Sequence, residues 1–272
     1  MSPLLIVCIL TGIIHFAETA ASALRLAGIR TKQIATSLSF VNATLLVTRT
    51  SNMLQAPFLG GMVDHAILTG DPGSLIASFR SVIFAAFVGN ALGALCTPFF
   101  VAVFTKAILR FETGGSVPRL IAAAFLPRNL AAIRRRFRLP GKESWLNLSL
   151  KGIPRTFLWL NLGVVSIYAI GVISSLYAGS LVPEFRITAS QLSAIVNGIA
   201  TILLVTLVDP TCAYITDQAI RGKRPEGDVR AMVFYIILGR VVGTLVLSQL
   251  LFLPAAEYIK NVTLLVKGFF GQ

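Results

Sequence analysis

The sequence predicts an all-α membrane protein. Six transmembrane helices are expected as two inverted three-helix repeats, with a basic amphipathic cytoplasmic segment between them. Three observations predict this. The 272 residues are 55% hydrophobic and 13% charged, with a mean hydropathy of +0.80. That is too apolar for a water-soluble domain of this length. Apolar runs of about 20 residues, long enough to cross a bilayer, recur along the chain. Patterns in the first half also return in the second, some at a constant spacing of 150 residues: Arg80-x3-Phe84-x4-Gly89-Asn90-x2-Gly93 matches Arg230-x3-Phe234-x4-Gly239-Arg240-x2-Gly243.

The first span is expected from about Leu4 to Leu26. His15 and Glu18 interrupt its apolar run and no basic stretch precedes it, so it reads as a retained helix, not a cleaved signal. Cys8, Thr11, His15, Glu18, Ser22 and Arg25 fall three and four apart, which puts them on one stripe. The second span runs from about Lys32 to Ala56. Thr44, Thr48, Ser51, Asn52 and Gln55 share a face there, with Arg49 at its edge. Pro57 and Gly60-Gly61 predict a break, and Phe58 to Leu68 a short interfacial helix. Polar residues beside a break at membrane depth are tolerated only against protein or a wet cavity, which makes this stretch the expected site. The third span is expected from Leu75 or Arg80 to Arg110, kinked at Pro98.

Residues Gly114 to Lys151 differ in character. They carry Pro118, Pro127 and Pro140 and the cluster Arg134-Arg135-Arg136-Phe137-Arg138, as expected of a segment on an anionic membrane surface. The fourth span is expected from Pro154 to Leu181. The fifth runs from Thr188 to Val208, with a break at Asp209-Pro210 and a continuation to Ile220. The sixth runs from Asp228 to Leu253, followed by an interfacial tail from Pro254. The expected division is therefore 1–112, 113–153 and 154–272.

The net charge of +13 would suggest nucleic acid in a soluble protein. Here the charge sits in the connections, so no nucleic-acid partner is expected. Eighteen of the 24 Lys and Arg residues fall on one predicted side and four on the other. That bias places both termini outside and the large basic loops in the cytoplasm. The three cysteines lie in apolar segments and read as core thiols.

The repeat extends to Ala43-Thr44-Leu45-Leu46-Val47-Thr48, which returns as Ala200-Thr201-Ile202-Leu203-Leu204-Val205-Thr206 with one inserted residue. Units of three helices are odd-numbered, so the copies must lie upside down relative to each other. Inverted repeats are a signature of transporters. Gly89 with Gly93, and Gly239 with Gly243, are small-xxx-small pairs that allow close helix contact.

Arginine at the bilayer centre costs roughly 3 kcal/mol, so Arg49 and Arg240 require an explanation. One is structural: ion pairs of Glu18 with Arg49 or Arg25, and of Asp209 with an arginine. The other is an anionic headgroup, because a guanidinium fork matches phosphate oxygens. The candidate substrate-binding residues are Arg25, Arg49, Ser51, Asn52, Gln55, Asn90 and Arg240. His15, Glu18 and Asp209 are proton-linked or ion-pair candidates. No metal site, cofactor motif or catalytic grouping emerges.

His15-x2-Glu18-Thr19, Arg25-Leu26-Ala27-Gly28, Thr48-Arg49-Thr50-Ser51-Asn52-Met53-x-Gln55-Ala56-Pro57 and Val208-Asp209-Pro210 together resemble the Amj family of bacterial lipid II flippases, the alternates to MurJ. The resemblance implies a transporter of the bacterial cell membrane that acts on undecaprenyl-pyrophosphate carrying the peptidoglycan precursor, among membrane lipids, with a homodimer as the protein partner considered. A membrane enzyme acting on a polyprenyl pyrophosphate and a small-anion transporter are the rival classes.

Overall fold

The computed structural model describes residues 1–114, 137, 140, 141, 148 and 152–270. Nearly all of the basic surface segment expected over Gly114 to Lys151 lies outside them. Every regular element among the described residues is helical. In chain order these are α1 (Pro3–Ala21), α2 (Ala23–Thr31), α3 (Ile34–Leu68), α4 (Ser74–Leu95), α5 (Thr97–Gly114), α6 (Arg155–Leu181), α7 (Arg186–Leu203), α8 (Asp209–Ile220), α9 (Glu226–Val242) and α10 (Ser248–Phe269). A π-helical turn, Leu204–Val208, joins α7 to α8, and a second, Gly243–Leu247, joins α9 to α10.

Among the described residues, five stretches are long and apolar enough to cross a membrane: Pro3–Thr31, Ser74–Leu95, Arg155–Leu181, Pro183–Ile220 and Glu226–Phe269. α3 has the length, at 35 residues, but is not among them. Its polar and charged residues dilute its apolar character.

Several sequence expectations need correction. α3 does not break at Pro57 or Gly60-Gly61; it is one helix to Leu68. Proline removes one backbone hydrogen bond, and in an apolar medium an open backbone would leave more groups unsatisfied than that. The Phe58 to Leu68 piece is therefore no separate interfacial helix, and its Leu59, Val63 and Ala66 pack in the core with Val7 and Phe79. Asp209-Pro210 is likewise no break. Pro210 lies in the first turn of α8, where its missing N–H costs little, and the π-turn carries the helix into it. The tail is not a separate interfacial piece either. α10 passes through Pro254, and its Phe252, Ala256, Ile259 and Thr263 form a buried stripe at helical spacing. Ile259 packs with Ala178 and Ala189, and Lys267 reaches Glu184 at 2.6 Å.

The first span is two helices, parted at Ser22. The third parts at Cys96, two residues before Pro98, close to the expected kink.

Contacts fix the helix directions. α1 and α4 run parallel, because Gly12 meets Gly89 and Thr19 meets Gly93. α6 and α9–α10 also run parallel, with Asn161 against Gly239, Ser166 against Gly243 and Ser174 against Phe252. The two pairs oppose each other: Phe79 stacks edge-on with Phe252, while Asn90 meets Arg240 and Thr244. α3 lies antiparallel on α1 and α2, tied by Thr11 of α1 to Gln55 near one end and by Ser37 to the Leu24 carbonyl of α2 near the other.

The glycines permit these crossings. A Cβ on Gly89 would strike the backbone of Gly12, and one on Gly243 would lie 2.7 Å from the Ser166 hydroxyl.

Candidate functional site

The stripe on α1 and the polar face of α3 meet. The antiparallel register that joins Thr11 to Gln55 at 3.0 Å brings Ser51 and Thr48 opposite His15 and Glu18. Thr48, Ser51 and His15 are buried, which is why this part of α3 is polar without facing water. Gln55 also donates to the Asn52 side chain at 3.0 Å, so Thr11, Gln55 and Asn52 form a chain ending at an exposed amide.

Glu18 sits where α1, α3, α6 and α9 converge. Arg240 Nη1 donates to its Oε2 at 2.7 Å, with 18% of the arginine side chain and 10% of the glutamate side chain exposed. The partner of Glu18 is thus Arg240, not the expected Arg49 or Arg25. Arg25 instead pairs with Asp209 at 2.9 Å, joining α2 to α8 and fulfilling the expectation that Asp209 holds an arginine. These pairs link residues 222 and 184 positions apart, beyond the reach of spacing arguments.

Arg49 is exposed and, among the described residues, forms no ion pair or hydrogen bond. Its neighbour Thr48 is the α3 residue that this register sets opposite Glu18. The Tyr168 phenol lies in the electrostatic field of Glu18, Arg240 and Arg49 together. Tyr168 was not foreseen from the sequence: a tyrosine within an apolar run carries no local signal of its neighbours. His15 shares the field of Glu18 and Arg240. His15 Nδ1, Thr48 Oγ1 and Arg240 Nε are buried without a hydrogen-bond partner among the described residues.

Asn90, expected as a substrate contact, lies inside the helix crossing. It is fully buried, accepts from Thr19 at 2.7 Å, and donates to the Arg240 carbonyl at 3.3 Å and to Thr244 at 3.2 Å. These bonds satisfy its amide within the helix crossing and fix the backbone from which Arg240 projects. Ser51 is buried at the α1–α3 contact. Arg49, Asn52, Gln55 and Arg240 keep part of their surface accessible.

The arrangement is a positively charged centre within the helix bundle. Two guanidinium groups and one carboxylate are bordered by hydroxyl and amide groups that donate to oxygen. Two looser pairs flank it toward the helix ends: Arg186 with Asp64 at 3.8 Å and Arg30 with Glu226 at 3.9 Å.

A family model described as "Alternate to MurJ" (Amj) matches residues 10–263. The chain is 39% identical, over 263 residues, to a Bacillus subtilis (strain 168) protein named lipid II flippase Amj, covering 96% of both chains. No solved structure matches.

Proposed function

The chain belongs to the Alternate-to-MurJ (Amj) family, and from that premise we propose that it carries lipid II from the inner to the outer leaflet of the bacterial cell membrane. It acts as a transporter and not as a catalyst. The observation that carries this reading is Arg49, a guanidinium with no counter-ion among the described residues, in one electrostatic neighbourhood with Arg240; with α3 crossing the bilayer it stands at membrane depth. An uncompensated arginine there is costly and is stabilised by a bound anion. The pyrophosphate of lipid II is such an anion, and two guanidinium groups suit its oxygens. Asn52 and Gln55 face the headgroup beside them, Ser51 supports the helix contact, and the polyprenyl tail stays in lipid.

In this reading α3 is the sixth span. Its 35 residues reach about 52 Å at about 1.5 Å per residue, more than the roughly 30 Å hydrocarbon core. The two halves are inverted repeats that rock against each other, without ATP. The opposed directions of α4 and α9–α10, and the parallel packing within each half at matched glycines, support this. Both termini lie outside, as the distribution of basic residues suggests.

The test is reconstitution of the purified protein with fluorescent lipid II in vesicles. Faster exposure of the label to an external quencher than in protein-free vesicles is expected. Equal rates would overturn the reading.

A further inference from the structure

We propose that lipid binding is coupled to uptake of one proton by Glu18, whose carboxylate holds Arg240 and yields it to the incoming pyrophosphate. The inference rests on the flippase reading and adds a second transported species, the proton, to it.

The argument is one of charge. Around the cluster stand two guanidinium groups, Arg49 and Arg240, and one carboxylate, Glu18. A pyrophosphate diester carries two negative charges. With Glu18 ionised, three negative charges would face two positive ones in a site whose carboxylate is only 10% exposed. Unpaired charge at that depth is strongly disfavoured. With one proton on Glu18, the charges balance. The step is simple: the carboxylate gains a proton and its ion pair is exchanged for a phosphate–guanidinium pair.

Among the described residues, no other side chain supplies the missing charge. Arg25 lies seven residues beyond Glu18 on the next helix and is held by Asp209 at 2.9 Å. The charged and titratable groups around Glu18 are His15 on its own helix, Arg240 on α9, Tyr168 on α6 and, acting with them on the Tyr168 phenol, Arg49 on α3. From α4 the neighbouring polar group is Asn90, which does not titrate, and Cys96 lies at that helix's end. His15 stands one turn before Glu18. Its Nδ1 is buried without a partner, and in the tautomer protonated at Nε2 it can accept from a protonated Glu18 carboxyl. Glu18 is thus a positioning residue for Arg240 and an internal rival of the substrate.

The experiment is calorimetric titration of the full chain with lipid II in two buffers of different ionisation enthalpy, across pH 6 to 8. The wild type is expected to take up about one proton per lipid bound, its affinity falling as the pH rises, by up to about tenfold per pH unit. Glu18→Gln is expected to take up none, to bind with little pH dependence, and to exceed the wild type at pH 8 by about tenfold or more. Its flipping rate should fall even as its apparent KM improves, because release loses the returning carboxylate. Binding by the wild type without proton uptake would overturn the proposal and leave the flippase reading standing. Proton uptake that persists in Glu18→Gln would overturn it too, pointing to His15. If Glu18→Gln does not fold, the wild-type proton count alone decides. Failure of the wild type to bind lipid II at all would overturn both readings.

Discussion

Asn90 donates a hydrogen bond to the main-chain carbonyl of Arg240, the residue 150 positions later that stands in its place in the second half of the sequence. A residue that touches its own counterpart marks the place where an axis relating two halves would pass. Asn90 is fully buried, and the contact ties α4 to α9 beside the ion pair of Glu18. Asn90→Ala should therefore destabilise the protein by about 1–2 kcal/mol, since it removes several interhelical bonds at once. It should also shift Arg240. Thermal unfolding in detergent measures the first effect, and a fall in lipid affinity the second.

Arg49 and Arg240 should behave differently when removed. Arg49 has no ion-pair partner among the described residues, so Arg49→Ala should abolish flipping while the melting temperature stays within a few degrees of wild type. Arg49→Lys should keep the charge, lose the fork and lose most of the activity. A fully active Arg49→Ala protein would remove the basis of the site.

Arg240→Ala leaves Glu18 buried and uncompensated. A loss of roughly 3–5 kcal/mol is expected, as for other buried pairs broken on one side. Adding Glu18→Ala should recover part of that stability but no transport. A double-mutant cycle that shows no coupling would contradict the 2.7 Å contact.

Gly89→Leu should be among the most damaging single changes, because its Cβ alone would meet the Gly12 backbone. Overpacking of this kind costs about 1–3 kcal/mol, or more where backbone must move. Gly60→Ala, with nothing within 4 Å, serves as the tolerated control. Both are read from yield and thermal stability in detergent.

Membrane orientation gives a further prediction. Single cysteines placed at Lys223 and at Glu184 lie at opposite ends of the Pro183–Ile220 helical stretch. In intact cells, the first should resist an impermeant thiol reagent and the second should react, as the bias of basic residues requires. Labelling in the opposite sense would reverse the topology.

Much of this site could be read from the sequence because side-chain spacing on a helix is local. The stripe from Thr11 to Glu18 and the face from Thr44 to Gln55 follow from intervals of three and four, and they do meet. The glycines at 89, 93, 239 and 243 announced close crossings for the same reason. The pairing of charges was not legible in this way, because Glu18 finds Arg240 across 222 residues and only the folded bundle selects that partner over Arg49. Pro57 misled because a break that water would stabilise has no such support inside lipid. Tyr168 was missed because it is marked only by its neighbours in space.

The π-turn at Leu204–Val208 has a consequence of its own. It falls where the second copy of the Ala-Thr-Leu-Leu-Val-Thr pattern carries its one extra residue. A π-turn takes up one added residue within a single turn of the helix. The side chain matching Arg49 is then Leu207, and the helix continues into Asp209, which holds Arg25. Two perfectly equivalent halves would look alike from either face of the membrane and could not tell one leaflet from the other. If the halves are the inverted repeats proposed above, a single supernumerary residue breaks that equivalence and gives the molecule a front and a back.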